Sequence, residues 1–135
     1  MQKGKFLNIL LGSLQAVNGL SALLGGYMLI DDPTGESLAL DAQWLQNTPF
    51  PNYLIPGIVL FLLIGITNVW GMWLTFNRKT KRAAFGTVFG LILMGWIIGQ
   101  VIWIGYKDFL QPLYFTTGLL QTFAGLALAS QMKKT

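Results

Sequence analysis

Asn77-Arg78-Lys79-Thr80-Lys81-Arg82 is a short basic link between two apolar runs, Tyr53–Phe76 and Ala83–Tyr106. Neither run contains a charged side chain. Two further uncharged runs flank this pair, Phe6–Ile30 and Leu110–Ser130. Each run is about 21–25 residues long, enough to cross about 30 Å of hydrocarbon at about 1.5 Å per residue. Backbone groups in lipid must be satisfied within the segment, so each run is expected to be a helix. The runs are also too long for the strands of a membrane barrel.

The charges sort with this reading. Lys3 and Lys5 precede the first run, the basic link joins the second to the third, and Lys133 and Lys134 follow the fourth. Four crossings place all of them on one side, which then holds eight of the nine basic residues. The other side holds Asp31, Asp32, Glu36, Asp41 and Asp108, together with Lys107. The positive-inside rule makes the basic side cytoplasmic and puts both termini there. The net charge of +4 is then read as topology and headgroup contacts, not as a nucleic-acid patch. The first run is longer than the apolar stretch of a signal peptide and is expected to be retained.

Composition agrees. Of 135 residues, 53% are hydrophobic and 10% charged, against about 25% charged in a soluble domain. There is no cysteine and no histidine, which removes disulfides, thiol nucleophiles and the commonest general base and metal ligand. The expected fold is an all-α membrane protein, residues 1–135 forming one membrane domain. Four transmembrane helices (about 6–30, 53–76, 83–106 and 110–130) make a compact up-down bundle.

Residues 31–52 are expected to form the one sizeable outer loop. Asp31-Asp32-Pro33-Thr34-Gly35 is a turn signature, and Pro33 should stop the first helix. Asp41 is placed to cap a short interfacial helix through Asn47, with Trp44 and Leu45 directed at the membrane. Two readings stand for this loop: an elbow covering the bundle's end, or a lid over a cavity. Its acids Asp31, Asp32, Glu36 and Asp41 are the candidate outer-loop site. Tyr27, Trp44, Tyr53, Trp103, Tyr106 and Tyr114 fall near the outer boundary, where amphipathic rings are favoured. Trp96 falls mid-span and is expected to pack on a helix or face lipid.

Small residues define the helix faces. Asn8, Gly12, Gln15, Gly19, Ala22 and Gly26 form a seam along the first span, with Leu11, Asn18, Ser21 and Gly25 beside it. The third span carries Gly86 and Gly90, then Gly95 and Gly99, two G-x-x-x-G pairs on different faces. One pair is available to a neighbouring protomer. Five amides lie within spans: Gln15, Asn18, Asn68, Gln100 and Gln121. An unpaired amide in hydrocarbon is costly, so they should bond to one another or to carbonyls. The alternative is a polar pocket for a headgroup or a neutral solute. No span carries an acid or a base, which argues against proton-coupled transport. Pro51, Tyr53 and Gly57 align with Pro112, Tyr114 and Gly118 at one offset, a faint parallel repeat.

Asp31-Asp32-Pro33-Thr34-Gly35-Glu36, Trp44-Leu45, Thr48-Pro49-Phe50 and Ile55-Pro56-Gly57 together give a phrase-level likeness. With Ile104-Gly105-Tyr106 and Phe109–Tyr114, the chain resembles small uncharacterised bacterial four-helix membrane proteins. The resemblance implies the bacterial inner membrane. It transfers no activity and no site residues.

The function expected from these residues is a small membrane protein without catalytic machinery: an accessory subunit, a scaffold or a self-associating subunit. No cofactor or metal is expected, and the partners are the lipid bilayer, a second copy or another membrane protein, with no nucleic acid. The alternative is a carrier or pore for a neutral solute or lipid, using an amide-lined cavity. A lipid-acting enzyme would have only the outer-loop acids to work with.

Overall fold

The computed structural model of the protein describes residues 4–107 and 109–133. Lys3, Asp108 and Lys134, used above in the charge sorting, lie outside the described residues. Four long helices follow in order: α1 (Lys5–Asp31), α2 (Leu54–Phe76), α3 (Arg82–Ile104) and α4 (Leu110–Lys133). Their bounds fall close to the four apolar runs, because charge and proline end each run. There is no strand among the described residues.

Three of the helices, α1, α2 and α3, are long and apolar enough to cross a membrane. The fourth, α4, expected as an equal span, is not among them and is the most polar of the set. The reason lies in which side chains it buries. Gln111, Gln121 and Thr122 face inward on α4, while Leu120, Phe123 and Leu126 are exposed. The whole bundle follows this inverted pattern. Asn8, Gln15, Asn18, Asn68, Thr75 and Gln121 are buried, and large apolar side chains cover the outside.

Contacts across the glycines show that neighbouring helices run antiparallel. A Cβ on Gly12 would meet the Phe76 ring, one on Gly19 would meet Val69, and one on Gly26 would meet Gly57 and Phe61. The small-residue seam of α1 therefore lies against α2, with every member buried. Gly90 abuts Gly118 and Thr122, and Gly125 abuts Thr87, so α3 lies antiparallel on α4. Helix α1 also packs on α4, and α2 meets α3 chiefly over Thr67–Phe76, beside their connecting turn. The outer halves of α2 and α3 stand apart.

Helix α2 is not a regular α-helix. Leu60–Ile66 runs seven residues in π-helical hydrogen bonding, which widens the turn. At its end Ile64 O accepts from Thr67 N, and two side chains add bonds: Thr67 Oγ1 donates to Leu63 O, and Asn68 Nδ2 donates to Ile64 O at 2.9 Å. Pro56 sits in the first turn, where its missing N–H is harmless.

The loop holds two 3₁₀ turns, Glu36–Leu38 and Ala42–Leu45, and the second is the part that forms of the interfacial helix expected from Asp41 through Asn47. Asp41 does cap the second, accepting from Gln43 N at 2.8 Å. Leu45 points the other way from the expectation. It is buried with Leu29 and Tyr53, because the loop folds back over the end of the bundle and not outward. Tyr53 is likewise buried, and its hydroxyl donates to Asp41 O at 2.7 Å.

These contacts separate the two glycine pairs of α3. A Cβ on Gly90 would lie 2.6 Å from Thr122 Oγ1 and 2.9 Å from Gly118 O, whereas one on Gly95 or Gly99 would meet no described atom beyond its own helix turn within 4 Å. Gly90→Ala should therefore lower unfolding stability in detergent by about 1–3 kcal/mol. Gly95→Ala and Gly99→Ala should leave it unchanged or slightly higher, through better helix propensity. Thermal unfolding of the three variants side by side checks this.

Candidate functional site

The polar centre of the bundle is one side chain, Gln121 of α4. Its Nε2 donates to Asn68 Oδ1 of α2 at 2.8 Å and to Gly86 O of α3 at 2.9 Å. Its Oε1 accepts from Asn18 Nδ2 of α1 at 2.8 Å. A single amide thus touches the other three helices. Asn18, Asn68 and Gln121 are at most 1% exposed.

The orientation of each amide in this chain is dictated. Ile64 O can only accept, so Asn68 must present its nitrogen there and its oxygen to Gln121. Gly86 O can only accept, so Gln121 must present its nitrogen to both Asn68 and Gly86. The Gln121 oxygen then faces Asn18, which must donate. One atom of the series is left over: Asn18 Oδ1, buried, has no hydrogen-bond donor among the described residues.

The other amides stand apart from this node. Gln15 Oε1 accepts from Thr75 Oγ1 at 2.6 Å, while its Nε2, wedged between Gly71 and Gly86, has no partner among the described residues. Asn8 Nδ2 donates to Thr75 O at 2.9 Å, and Arg82 Nε donates to Asn8 Oδ1 at 2.8 Å. Arg82, read from sequence as a charge facing headgroups, is turned inward, and its Nη1 holds Lys79 O at 2.9 Å. It locks the α2–α3 turn to α1. Gln100 lies near the outer end, within 3.3 Å of Gln111 Nε2. The five amides therefore do not surround one pocket.

The outer-loop acids are not gathered either. Asp32 accepts from Thr34 Oγ1 at 2.6 Å, from Thr34 N and from both the backbone and hydroxyl of Ser37. The Thr34 hydroxyl, with Ser37 behind it, holds the Asp32 carboxyl below its usual value of 3.8. Asp32 is thus the organiser of the loop, and Asp41 is a cap. Asp31 and Glu36 are exposed. No three acidic side chains among the described residues stand close enough to hold a metal ion.

What the outer half does contain is a cavity of about 530 Å³. It fills the gap where α2 and α3 diverge. Its walls are mostly apolar: Leu29 from α1, Leu60 and Ile64 from α2, Leu93, Trp96 and Ile97 from α3. The loop forms its roof through Leu40, Trp44, Leu45 and Phe50. Phe50 meets Trp103 edge-on, ring centres 5.3 Å apart, and Lys107 Nζ lies 5.6 Å over the Trp44 ring. Gly95 and Gly99 lie on its α3 wall, and Asn18 is its innermost residue on α1. Of the five helix amides singled out from sequence, Asn18 and Gln100 line it, one at each end.

Sequence reasoning did not find this cavity. The usable signals were Trp96 at mid-span and a second glycine pair on a face away from Gly86 and Gly90. The divergence of α2 from α3 has no counterpart in the hydrophobic pattern. Compared with known proteins, the chain matches no family model, no curated protein and no solved structure.

Replacing Gln121 with Leu would strand Asn18 Nδ2 and Asn68 Oδ1 at once and remove the side-chain bond to Gly86 O. A buried polar group left without a partner costs about 1–3 kcal/mol. Gln121→Leu is therefore expected to lose at least about 2 kcal/mol of stability in detergent, whereas Gln100→Leu, half-buried beside a longer bond, should lose less than about 1 kcal/mol. Equal losses in equilibrium unfolding would remove Gln121 from the centre.

Proposed function

We propose that this chain is a small integral membrane protein without catalytic machinery, whose four helices cross the cytoplasmic membrane and whose outer half holds a lipid-like molecule. One observation carries the binding role: the 530 Å³ apolar cavity under the outer loop. Ligand pockets typically measure about 300–1,000 Å³ and are mostly apolar with few polar groups. This revises the alternative read from sequence. The cavity wall is apolar and aromatic, and the amides mainly bond the helices together.

Insertion is supported by the inverted surface. Phe6, Leu24, Ile102, Phe109 and Phe123 are each at least 60% exposed while Gln15, Asn68 and Gln121 are at 0%; water would oppose both halves of that arrangement. On this reading α4 is a fourth span, made polar by the face it buries. The basic residues Lys5, Arg78, Lys79, Lys81 and Lys133 then mark the cytoplasmic end, with both termini. The resemblance noted from sequence supports a bacterial inner membrane. Because the chain has no cysteine, single cysteines report topology cleanly. Ser37→Cys should react with a membrane-impermeant maleimide in intact cells, and Lys79→Cys only after permeabilisation; the reverse pattern would invert the orientation.

A second reading, self-association, is favoured by Gly95 and Gly99, which no other described residue covers. The two separate by stoichiometry and by lipid content. If the cavity holds a lipid, protein purified in mild detergent is a monomer carrying about one tightly retained lipid. Gly99→Leu, which meets open space, then lowers that retention several-fold without changing Tm. A dimer that Gly99→Leu dissociates, with no retained lipid, would replace the binding role by the accessory or self-associating one.

A further inference from the structure

The cavity's inner end carries a chemical instruction. Asn18 is the deepest α1 residue lining it, and its Oδ1 is a buried acceptor with no donor among the described residues. The orientation is not open to reversal, because Ile64 O and Gly86 O fix every amide in the series. A flipped Asn18 would set its oxygen against the Gln121 oxygen. An unserved buried acceptor is unfavourable, and a donor supplied from the cavity would relieve it.

The rest of the wall says what the donor must be attached to. From Asn18 to Leu29 the cavity follows α1 for about 16 Å at about 1.5 Å per residue, roughly half of a bilayer core of about 30 Å. Ala22, Ile64, Leu93 and Ile97, which pack together just above Asn18, are all apolar. The cation that lines the cavity, Lys107, is at the opposite, outer end over Trp44. An anionic head at the floor would face an amide oxygen with no cation to balance it. A hydroxyl would face an acceptor that lacks a donor.

Resting on the reading that this cavity holds a lipid-like molecule, we infer that its ligand is a neutral amphiphile that enters donor-first, placing a hydroxyl or N–H on Asn18 Oδ1 and its hydrocarbon along the wall beneath the outer loop. Polarity within the site then runs opposite to that of an ordinary lipid of the outer leaflet. That inversion selects against phospholipids, whose charged heads stay at the membrane surface. Entry is through the gap between the outer halves of α2 and α3.

The test compares two probes that differ by one donor. The full chain in nanodiscs of a saturated phosphatidylcholine is titrated with tritiated dodecanol and with tritiated dodecyl methyl ether, each corrected for partition into protein-free nanodiscs. The ether keeps the oxygen acceptor and loses the O–H. Dodecanol is expected to bind saturably and at least about tenfold more tightly than the ether. In Asn18→Leu the preference should fall to near unity while ether binding persists, and persistence of ether binding also shows that the variant is folded. Equal affinity of the two probes for the unmodified chain would overturn the inference and leave the cavity reading standing. A preference that survives Asn18→Leu would overturn it too. No saturable binding of either probe would remove the cavity reading, and this inference with it. The unmodified chain decides between these outcomes even if the variant fails to fold.

Discussion

The hydrogen bonds of Gln121 are the constraint around which the bundle is arranged. One side chain on α4 bonds to side chains or backbone of α1, α2 and α3. The alternative for each partner is burial without a bond, which is costly wherever water is excluded. Close approach of the helices follows from the same need. Amide side chains are short, so helices joined by them must lie close together. Gly19, Gly86 and Gly118 provide that closeness by presenting no Cβ. The polar centre and the glycine seams are thus two halves of one solution.

The π segment of α2 belongs to that solution as well. Seven residues of wider turn carry Asn68 to the level of Gln121, and Asn68 in turn donates to Ile64 O at the segment's end. Below this level α2 lies near α3, and Arg82 binds the turn between them to Asn8 of α1. Above it no polar bond between described residues ties the two helices, and they diverge. The outer loop spans the gap, anchored by Tyr53 on Asp41 O and by Phe50 against Trp103. A cavity results where the bonding pattern stops.

Much of this was legible in the sequence. The basic link Arg78–Arg82 and the four uncharged runs gave the helices to within a few residues, since charge and proline limit helices in an apolar setting for simple energetic reasons. The seam from Asn8 to Gly26 is the buried face of α1, because small and amide residues at alternating spacing leave no other face to bury. Asp41 as a cap was readable from residue type. Other features were not. Leu45 was expected to point outward, and Arg82 to face headgroups. Both turn inward, because a loop's return path and a terminal arginine's reach depend on neighbours distant in sequence. Trp96 could have faced lipid or protein, and only the divergence of α3 from α2 places it on a cavity wall.

The sequence by itself determined where the helices begin and end, which faces carry glycine and amide, and how charge divides between the two ends. These are local or periodic properties, set by side-chain chemistry against a one-dimensional spacing. The tertiary structure alone decided which amide bonds to which, that Gln121 and not Gln15 or Gln100 joins all four helices, and that Asn18 keeps an unserved oxygen. Hydrogen-bond direction depends on distances between residues up to 103 apart in the chain, and a cavity is the space that packing fails to fill. Neither is written in any single stretch of residues.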